Sequence, residues 1–385
     1  MENNGIISSG SHAAPQEKKL FTPGPLCVSR TVKEALCRDM GSRDTEFIQI
    51  VKNLRDNLVK VAGLSQNEFT AVLMQGSGTF SVESVLLSTS NRKQKVLIVA
   101  NGAYGQRMKI ICEKAEIPYD ILVFPETQVV DVERVLNFLE SQPNGIFSSV
   151  AVIHCETTTG IINPTEKLGE QLKQKFPAMT YIVDAMSSFA AVEANYSQVD
   201  FLISSANKCL QGVPGFGFVI CRLTQLEKCK GLSKSLALDL YEQWKGLEEN
   251  GQFRFTPPTH AILGLTQACK ELEAEGGVAG RARRYKKNSE IIKVGMAERG
   301  FKQLIEGEEG HITTTFFYPS HENFNFQKFY NELSDLGQLI YPGKVTNAAC
   351  FRIGHIGHLD AEDMRHLLKC IDQVLSKMNI PCPLQ

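Results

Sequence analysis

A lysine and an aspartate each stand at the end of an apolar run and could act on one small molecule. Asp184 follows residues 181–183, and Lys208 follows residues 201–204. If these runs are neighbouring strands, both side chains project from the same rim of a sheet; otherwise each is an ordinary surface charge. An amine that forms an imine, together with a carboxylate that keeps a pyridine nitrogen protonated, is what pyridoxal 5′-phosphate requires. The pair therefore predicts that cofactor.

A glycine-containing turn is a candidate anion site. The segment Gln75-Gly76-Ser77-Gly78-Thr79 lies between a β-rich run and a helical stretch. Glycines let a backbone approach an anion closely, and the N–H groups that begin the next helix favour a phosphate. The spacing matches neither the dinucleotide pattern nor the Walker A pattern. The segment therefore predicts a phosphate cup of another class, with a plain turn as the alternative.

Two further side chains could recognise a planar ring and an acid. Tyr104, in the segment 101–105, follows a predicted strand and could stack on a ring, or it could be a core tyrosine. Arg352 lies inside a short apolar run, where a guanidinium is costly without an anionic partner. Its planar fork suits a carboxylate or phosphonate, and a structural ion pair is the alternative.

The histidines and cysteines give weaker patterns. His355, His358 and Asp360 could suggest a metal site, but interleaved glycines favour a turn, so we expect no metal. The chain has 11 cysteines without any C-x-x-C spacing. We expect reduced thiols, as in a cytoplasmic protein.

Alternating β-rich and helical segments must position these side chains. The β-rich runs are residues 70–74, 95–100, 119–124, 149–154, 181–183, 201–204 and 216–221, and the helical stretches between them are 78–89, 104–115, 132–142 and 164–176. This alternation predicts an α/β domain with a mainly parallel sheet covered by helices on both faces. Ligands of such sheets bind at the carboxyl ends of the strands.

The C-terminal part has a different pattern. Helices are predicted over residues 262–275, 279–298, 326–336 and 361–377, and strands over 312–318 and 350–353. We therefore divide the chain into a disordered tail (1–19), a large domain (20–275) and a smaller α+β domain (276–385). Lys+Arg number 41 and Asp+Glu 42, so no net positive field favours nucleic acid, and no apolar run is long enough to span a membrane.

Ordered motifs over most of the chain resemble the class-V aminotransferases, which are fold-type I pyridoxal-phosphate enzymes. The resemblance runs from about residue 20 to 375. Its motifs are Phe21-Thr22-Pro23-Gly24-Pro25, Gly76-Ser77-Gly78-Thr79-Phe80, Asn101-Gly102-Ala103-Tyr104-Gly105, Glu156-Thr157-Thr158-Thr159-Gly160, Asp184-Ala185-Met186-Ser187-Ser188, Ser205-Ala206-Asn207-Lys208-Cys209, Phe255-Thr256-Pro257-Pro258-Thr259 and Arg352-Ile353-Gly354. Two departures are the segment before Lys19, which has no counterpart, and residues 41–44.

The resemblance implies a role for each matching residue. Lys208 would bind the cofactor and move the proton, and Asp184 would pair with the pyridine nitrogen. Tyr104 would stack on the ring, and Thr157 would contact the region of the ring hydroxyl. The cofactor phosphate would be held by Ser77, Gly78 and Thr79, with Asn207 nearby and with Thr256 reaching in from the neighbouring subunit of a homodimer. Arg352 would bind the acidic end of the substrate, and Arg43 is either a second phosphonate contact or a surface charge.

Within this family, the chain most resembles the members that move the amino group of 2-aminoethylphosphonate to pyruvate. It thus implies small-molecule substrates, a homodimer with shared active sites, and a cytoplasmic enzyme. The alternatives are an alanine–glyoxylate or serine–pyruvate aminotransferase on the same scaffold. A pyridoxal-phosphate lyase or desulfurase is a further possibility, but Cys350 lies inside an apolar run and is a poor nucleophile. A phosphate-binding scaffold protein without catalysis is the possibility from another class.

Overall fold

A computed structural model describes residues 17–384, apart from 306, 308–309, 344 and 346–347. Its strands are β1 (Lys19–Leu20), β2 (Phe69–Gly76), β3 (Lys95–Ala100), β4 (Tyr119–Val123), β5 (Phe147–Ile153), β6 (Cys155–Glu156), β7 (Ile161–Ile162), β8 (Thr180–Asp184), β9 (Phe201–Ser205), β10 (Gly215–Arg222), β11 (Thr313–Phe317), β12 (Gln338–Leu339), β13 (Tyr341–Pro342) and β14 (Cys350–Gly354).

The helices surround these strands. They are α1 (Arg30–Ala35), α2 (Thr45–Val61), α3 (Gly78–Thr89), α4 (Ala103–Lys114), α5 (Val132–Glu140), α6 (Thr165–Lys175), α7 (Leu223–Leu226), α8 (Leu240–Glu249), α9 (Thr259–Ala274), α10 (Gly277–Glu298), α11 (Phe326–Asp335) and α12 (Ala361–Lys377). Asp44, Asp131, Asp239, Asn325 and Asp360 cap α2, α5, α8, α11 and α12 through their side chains. In the described residues, no helix combines the length and apolar character needed to cross a membrane.

The central sheet has seven strands in the order β2-β10-β9-β8-β5-β3-β4. Strand β10 is antiparallel to β2 and to β9, and the other four pairings in this sheet are parallel. The predicted α/β class with a mainly parallel sheet is therefore confirmed. The inner strands β3, β8 and β9 are buried on both faces, which explains why their sequences are nearly continuous apolar runs rather than alternating ones.

A second sheet lies in the C-terminal part, where β11, β14 and β13 are antiparallel. Phe316 and Phe351 of this sheet pack with Phe329 of α11 and with α10 and α12. Together they form a core separate from that of the central sheet.

The N-terminal segment joins this second core. Lys19 and Leu20 pair in parallel with Gln338 and Leu339, and Phe21 is fully buried there. Lys19, which we had counted with a disordered tail, is therefore part of a strand; residues 1–16 of that predicted tail lie outside the described residues. The domain bounds 20–275 and 276–385 stay a prediction.

Strands β8 and β9 are hydrogen-bonded neighbours, as the pair Asp184 and Lys208 requires. Their parallel register aligns Asp184 with Ile203, and Lys208 follows the end of β9 by three residues. Both side chains therefore lie at the carboxyl edge of the sheet, where the candidate site is found.

Candidate active site

A cavity of about 200 Å³ opens at the carboxyl edge of the central sheet. A water molecule takes up roughly 30 Å³ of liquid, so the cavity has room for a small ring compound. Seven of the predicted site residues line it: Ser77, Gly78, Thr79, Tyr104, Asp184, Asn207 and Lys208. The fold thus gathers residues from four separate motifs around one space.

Lys208 is held at one side of this cavity by the segment that contains Pro23 and Gly24. Its Nζ donates a hydrogen bond to the Pro23 carbonyl at 2.9 Å. A Cβ added to Gly24 would lie 2.6 Å from Nζ, so only glycine leaves room for the amine. Burial lowers the pKa of Lys208, because it removes water from the ammonium form. The neutral, nucleophilic amine is therefore easier to reach than in a solvated lysine.

Asp184 is buried at the end of β8. Its Oδ1 accepts a hydrogen bond from the Met186 N–H at 2.9 Å. Burial raises the pKa of the Asp184 carboxyl to about 6, although this hydrogen bond and the charges of Arg107 and Lys208 oppose the rise. A buried carboxylate with a raised pKa binds a cation or a protonated nitrogen readily, because the partner restores the stabilisation that water gave.

The anion cup lies where β2 turns into α3. Ser77 is the N-cap of α3, but its side chain makes no capping hydrogen bond, so the first N–H groups of the helix remain available to a ligand. Gly76 has φ +106°, a conformation that favours glycine. A Cβ on Gly78 would lie 2.3 Å from the Met186 sulfur, so the backbone of α3 can approach the cavity only without a side chain there.

Tyr104 lies in the first turn of α4 and is positioned by a buried glutamate. The Tyr104 N–H donates to Glu156 Oε2 at 3.2 Å, and the Thr158 hydroxyl donates to Glu156 Oε1 at 2.8 Å. Burial raises the pKa of Glu156 to about 7. A Cβ added to Gly102 would lie 2.4 Å from the carboxyl carbon of Glu156, which is too close for any side chain. This contact explains why the first glycine of the Asn-Gly-Ala-Tyr-Gly motif, Gly102, has no side chain.

Arg352 is buried in β14, and backbone carbonyls hold it. Its Nε donates to the Pro342 carbonyl at 3.0 Å, and its Nη1 donates to the Thr157 carbonyl at 2.9 Å. The guanidinium carbon lies 4.7 Å from the centre of the Tyr341 ring. No carboxylate of a described residue forms an ion pair with it, so the structural ion pair that we considered is absent from that part of the chain. Burial lowers the Arg352 pKa, because it removes water from the guanidinium cation. An anionic ligand would restore the stabilisation that water gave.

Four predicted residues do not line the cavity: Arg352, whose contacts are given above, and Thr157, Thr256 and Arg43. Thr157 is buried, and its hydroxyl has no hydrogen-bond partner among the described residues. Thr256 is exposed, and its carbonyl accepts a hydrogen bond from the Gln75 side chain at 3.2 Å. Arg43 is exposed beside the cap of α2. Their assigned roles stay predictions.

Arg107, Ser205 and Glu156 lie at the site, although the sequence patterns assign them no role. Arg107 and Ser205 line the cavity, and Glu156 supports Tyr104. Arg107 follows Tyr104 by three positions on one helix, a spacing that puts both on the same face and could have revealed it. Glu156 and Ser205 lie inside motifs of the family, but residue type and spacing do not show in which direction a side chain points.

Comparisons with known proteins agree with this geometry. The family model described as "Aminotransferase class-V" matches residues 28–335. The 2-aminoethylphosphonate–pyruvate transaminase of Phocaeicola vulgatus is 47% identical over 360 residues, covering 92% of this chain and 98% of that protein. A bifunctional phosphonoacetaldehyde hydrolase/aminoethylphosphonate transaminase of Clostridioides difficile is 43% identical over 93% of this chain and 56% of that protein. The solved alanine–glyoxylate aminotransferase from Nostoc sp. superposes with a TM-score of 0.86 at 21% identity, covering 97% of this chain and 100% of that one.

Proposed function

The chain belongs to the class-V aminotransferase family, and from that premise we propose that it transfers the amino group of 2-aminoethylphosphonate to pyruvate. The products are phosphonoacetaldehyde and L-alanine, and the cofactor is pyridoxal 5′-phosphate. The observation that carries the proposal is the meeting of Lys208, Asp184, Tyr104 and the anion cup in one cavity of a chain 47% identical to a transaminase of that name.

The donor set of the cavity fits the cofactor. The N–H groups and hydroxyls of Ser77, Gly78 and Thr79 would hold its phosphate, with Asn207 beside them, and Tyr104 would cover its ring. The hydroxyl of Ser205 lines the same cavity, is buried and has no partner among the described residues, so it has a hydrogen bond to offer. When bound, the cofactor supplies a protonated pyridine ring that acts as an electron sink.

Lys208 and Asp184 divide the proton chemistry between them. Lys208 Nζ would hold the cofactor through its aldehyde carbon. As a free amine, Nζ would take the proton from the carbon that bears the donor's amino group, and in the second half-reaction it would deliver a proton to the carbon that becomes the α-carbon of alanine. Asp184, as a buried carboxylate, would stabilise the positive charge of the ring nitrogen. The lowered pKa of Lys208 makes its neutral form available for the first step.

Arg352 is our candidate for recognition of the substrate's acidic end. Two carbonyls and the Tyr341 ring fix its guanidinium, so little conformational freedom is lost when an anion binds. A fork of N–H donors suits both the phosphonate of the donor and the carboxylate of pyruvate. One arginine can therefore serve both half-reactions.

We further infer that the enzyme is a homodimer whose partner subunit contributes Thr256. This exposed residue is tied by Gln75 to the end of β2, immediately before the cup. Phe255, the residue before it, and Phe80, whose ring lies against Gly76, are 43% and 49% exposed, although both are large and apolar. Burial of such side chains against a second copy would be favourable. We also infer a cytoplasmic location, which fits 11 free cysteines.

Donor specificity tests the proposed function. Purified protein is mixed with pyruvate and, in turn, 2-aminoethylphosphonate or serine, and alanine formation is measured; alanine with glyoxylate is read as glycine formed. We expect 2-aminoethylphosphonate to be the best donor, because Arg352 binds an acidic tail. The name of the bifunctional relative supports phosphonoacetaldehyde as the product, since it pairs this transaminase with a hydrolase of that aldehyde. Faster reaction of serine or alanine would favour the alternatives that share this fold.

A further inference from the structure

Arg107 occupies a place in the cavity that the proposed mechanism leaves unexplained. It lies three residues after Tyr104 on α4, is partly buried and lines the cavity. Its Nη1 donates to the Thr79 hydroxyl at 3.2 Å, and its guanidinium carbon lies 4.8 Å from the centre of the Tyr104 ring. The positive end of Arg107 is therefore inside the anion cup, next to the residue predicted to cover the ring.

The charges around the cavity are unequal. Of the described residues that line it, only Lys208 and Arg107 are basic and only Asp184 is acidic. No carboxylate of a described residue forms an ion pair with Arg107. Ser77, Gly78 and Thr79 supply hydrogen bonds to an anion but no formal charge. A phosphate group with about two negative charges is costly to bury unless a cation accompanies it.

Lys208 is not available as that cation, because its amine is committed to the opposite task of bonding the cofactor's aldehyde carbon. Arg107 has the required charge, and it already reaches a cup hydroxyl. Its charge also lowers the pKa of both Asp184 and Lys208, which shows that it acts on the same space.

We propose that Arg107 is the counter-charge for the cofactor's phosphate group, binding it together with the Thr79 hydroxyl and the N-terminus of α3. The proposal rests on the proposed function, since it assumes pyridoxal phosphate in this cavity. Arg107 would then be a binding residue that determines which form of vitamin B6 is retained. It would leave the recognition of the donor's phosphonate to Arg352.

The test compares two aldehydes that differ only in the phosphate. The full-length chain, freed of cofactor with hydroxylamine, is titrated with pyridoxal phosphate and with pyridoxal, and the absorbance of the lysine-bound aldehyde gives each Kd. In Arg107→Gln we expect the Kd for pyridoxal phosphate to rise roughly tenfold or more, as for loss of a charge-assisted bond. The Kd for pyridoxal should stay within about twofold, because the phosphate-free compound has nothing to lose. Lys109→Gln, on the same helix, is the control and should change neither value.

The other outcomes decide against the proposal in distinguishable ways. An equal loss for both aldehydes would mean that Arg107 only supports Tyr104 or the fold. Unchanged cofactor affinity with a raised KM for 2-aminoethylphosphonate would assign Arg107 to the donor's phosphonate instead. A wild-type protein that binds neither aldehyde would overturn the proposed function itself.

Arg107→Lys covers the case in which the glutamine variant does not fold. Lysine keeps the charge but loses the two-pronged donor, so we expect the preference for pyridoxal phosphate over pyridoxal to fall by about threefold. An unchanged preference, or a loss shared equally by the two aldehydes, would contradict the proposal in this variant as well.

Discussion

The cofactor cavity and the C-terminal core differ in the side chains that form them: charged groups meet in the cavity, and aromatic rings pack in the core. The cavity gathers Asp184, Lys208 and Arg107, whose charges influence one another. The C-terminal core surrounds Phe351 with rings whose centres lie 5.7 to 6.3 Å from its own: Phe301, Phe316, Tyr318, Phe326 and Phe329. The first arrangement costs folding free energy and provides chemistry; the second provides stability.

One strand belongs to both regions. In β14, Phe351 faces the aromatic core, while Arg352, the next residue, reaches the Thr157 carbonyl just after β6. Successive side chains of a strand point to opposite faces, so adjacent residues can serve opposite purposes. Changes at these two neighbours should therefore separate stability from substrate recognition, and the predictions below test that separation.

Lys208→Ala should have the largest effect, and it should fall on chemistry alone. We expect turnover to drop roughly 10⁴-fold, because the group that moves the proton is gone. The visible absorbance of the lysine-bound cofactor should disappear as well. Thermal unfolding should be unchanged or shifted upward, since a desolvated amine is removed from a buried site. A variant that turned over like wild type would remove Lys208 from its role.

Phe351→Ala should fall on stability instead. Loss of a fully buried phenylalanine that contacts five rings should cost about 3–5 kcal/mol of unfolding free energy. Urea denaturation measures this, with Phe317→Ala as control, because Phe317 in β11 is 37% exposed. A cost for Phe351→Ala no larger than that of the control would mean that the aromatic cluster is not the stabilising core.

Arg352→Lys should affect recognition and leave stability nearly intact. The lysine lacks the fork, and losing one good hydrogen bond to a charged group costs about 1.5–3 kcal/mol. We therefore expect the KM for 2-aminoethylphosphonate to rise roughly 10- to 100-fold. The Kd of the cofactor should hardly change. Arg365→Lys on the surface of α12 is the control; cofactor loss in Arg352→Lys without a change in KM would argue against the assignment.

His355, just after β14, should make the protein sensitive to acid. It is fully buried, and burial lowers its pKa to about 3; the charges of Lys293 and His311 add to the shift, and a hydrogen bond with the His311 backbone opposes it. Between pH 6.5 and 3 the unfolded chain therefore binds one proton more here than the folded one. Stability should fall by roughly 1.4 kcal/mol per pH unit as the pH drops through this range.

His355→Leu should flatten that dependence. Urea midpoints between pH 7 and 5 measure it, and the difference between variant and wild type should grow to about 2 kcal/mol at pH 5. His154, whose pKa burial lowers to about 4, keeps its share in both proteins. Parallel curves for the two proteins would show that His355 does not titrate on unfolding.

Much of the scaffold was predictable because its strands and helices have strong local patterns. The predicted bounds of β3, α3 and α12 agree with the structure to the residue. Asp184 ends β8 and Lys208 follows β9, and these strands are neighbours, as the cofactor prediction required. Strand β1 was not predictable, since two residues carry no periodicity and pair with a segment more than 300 positions away. For His355, His358 and Asp360 the sequence favours a turn over a metal site, and in the structure Asp360 caps α12.

The sequence by itself determined the kinds of chemistry that this chain contains: an amine, a carboxylate, an anion cup and an arginine in an apolar strand. Residue type and local periodicity suffice for that, because they act within a few positions of the chain. Only the tertiary structure decided which groups meet. The tertiary structure brings Arg107 to Thr79, Glu156 to the N–H of Tyr104, and Arg352 to the Thr157 carbonyl. These contacts depend on the directions of side chains in segments that lie 28 to 195 residues apart.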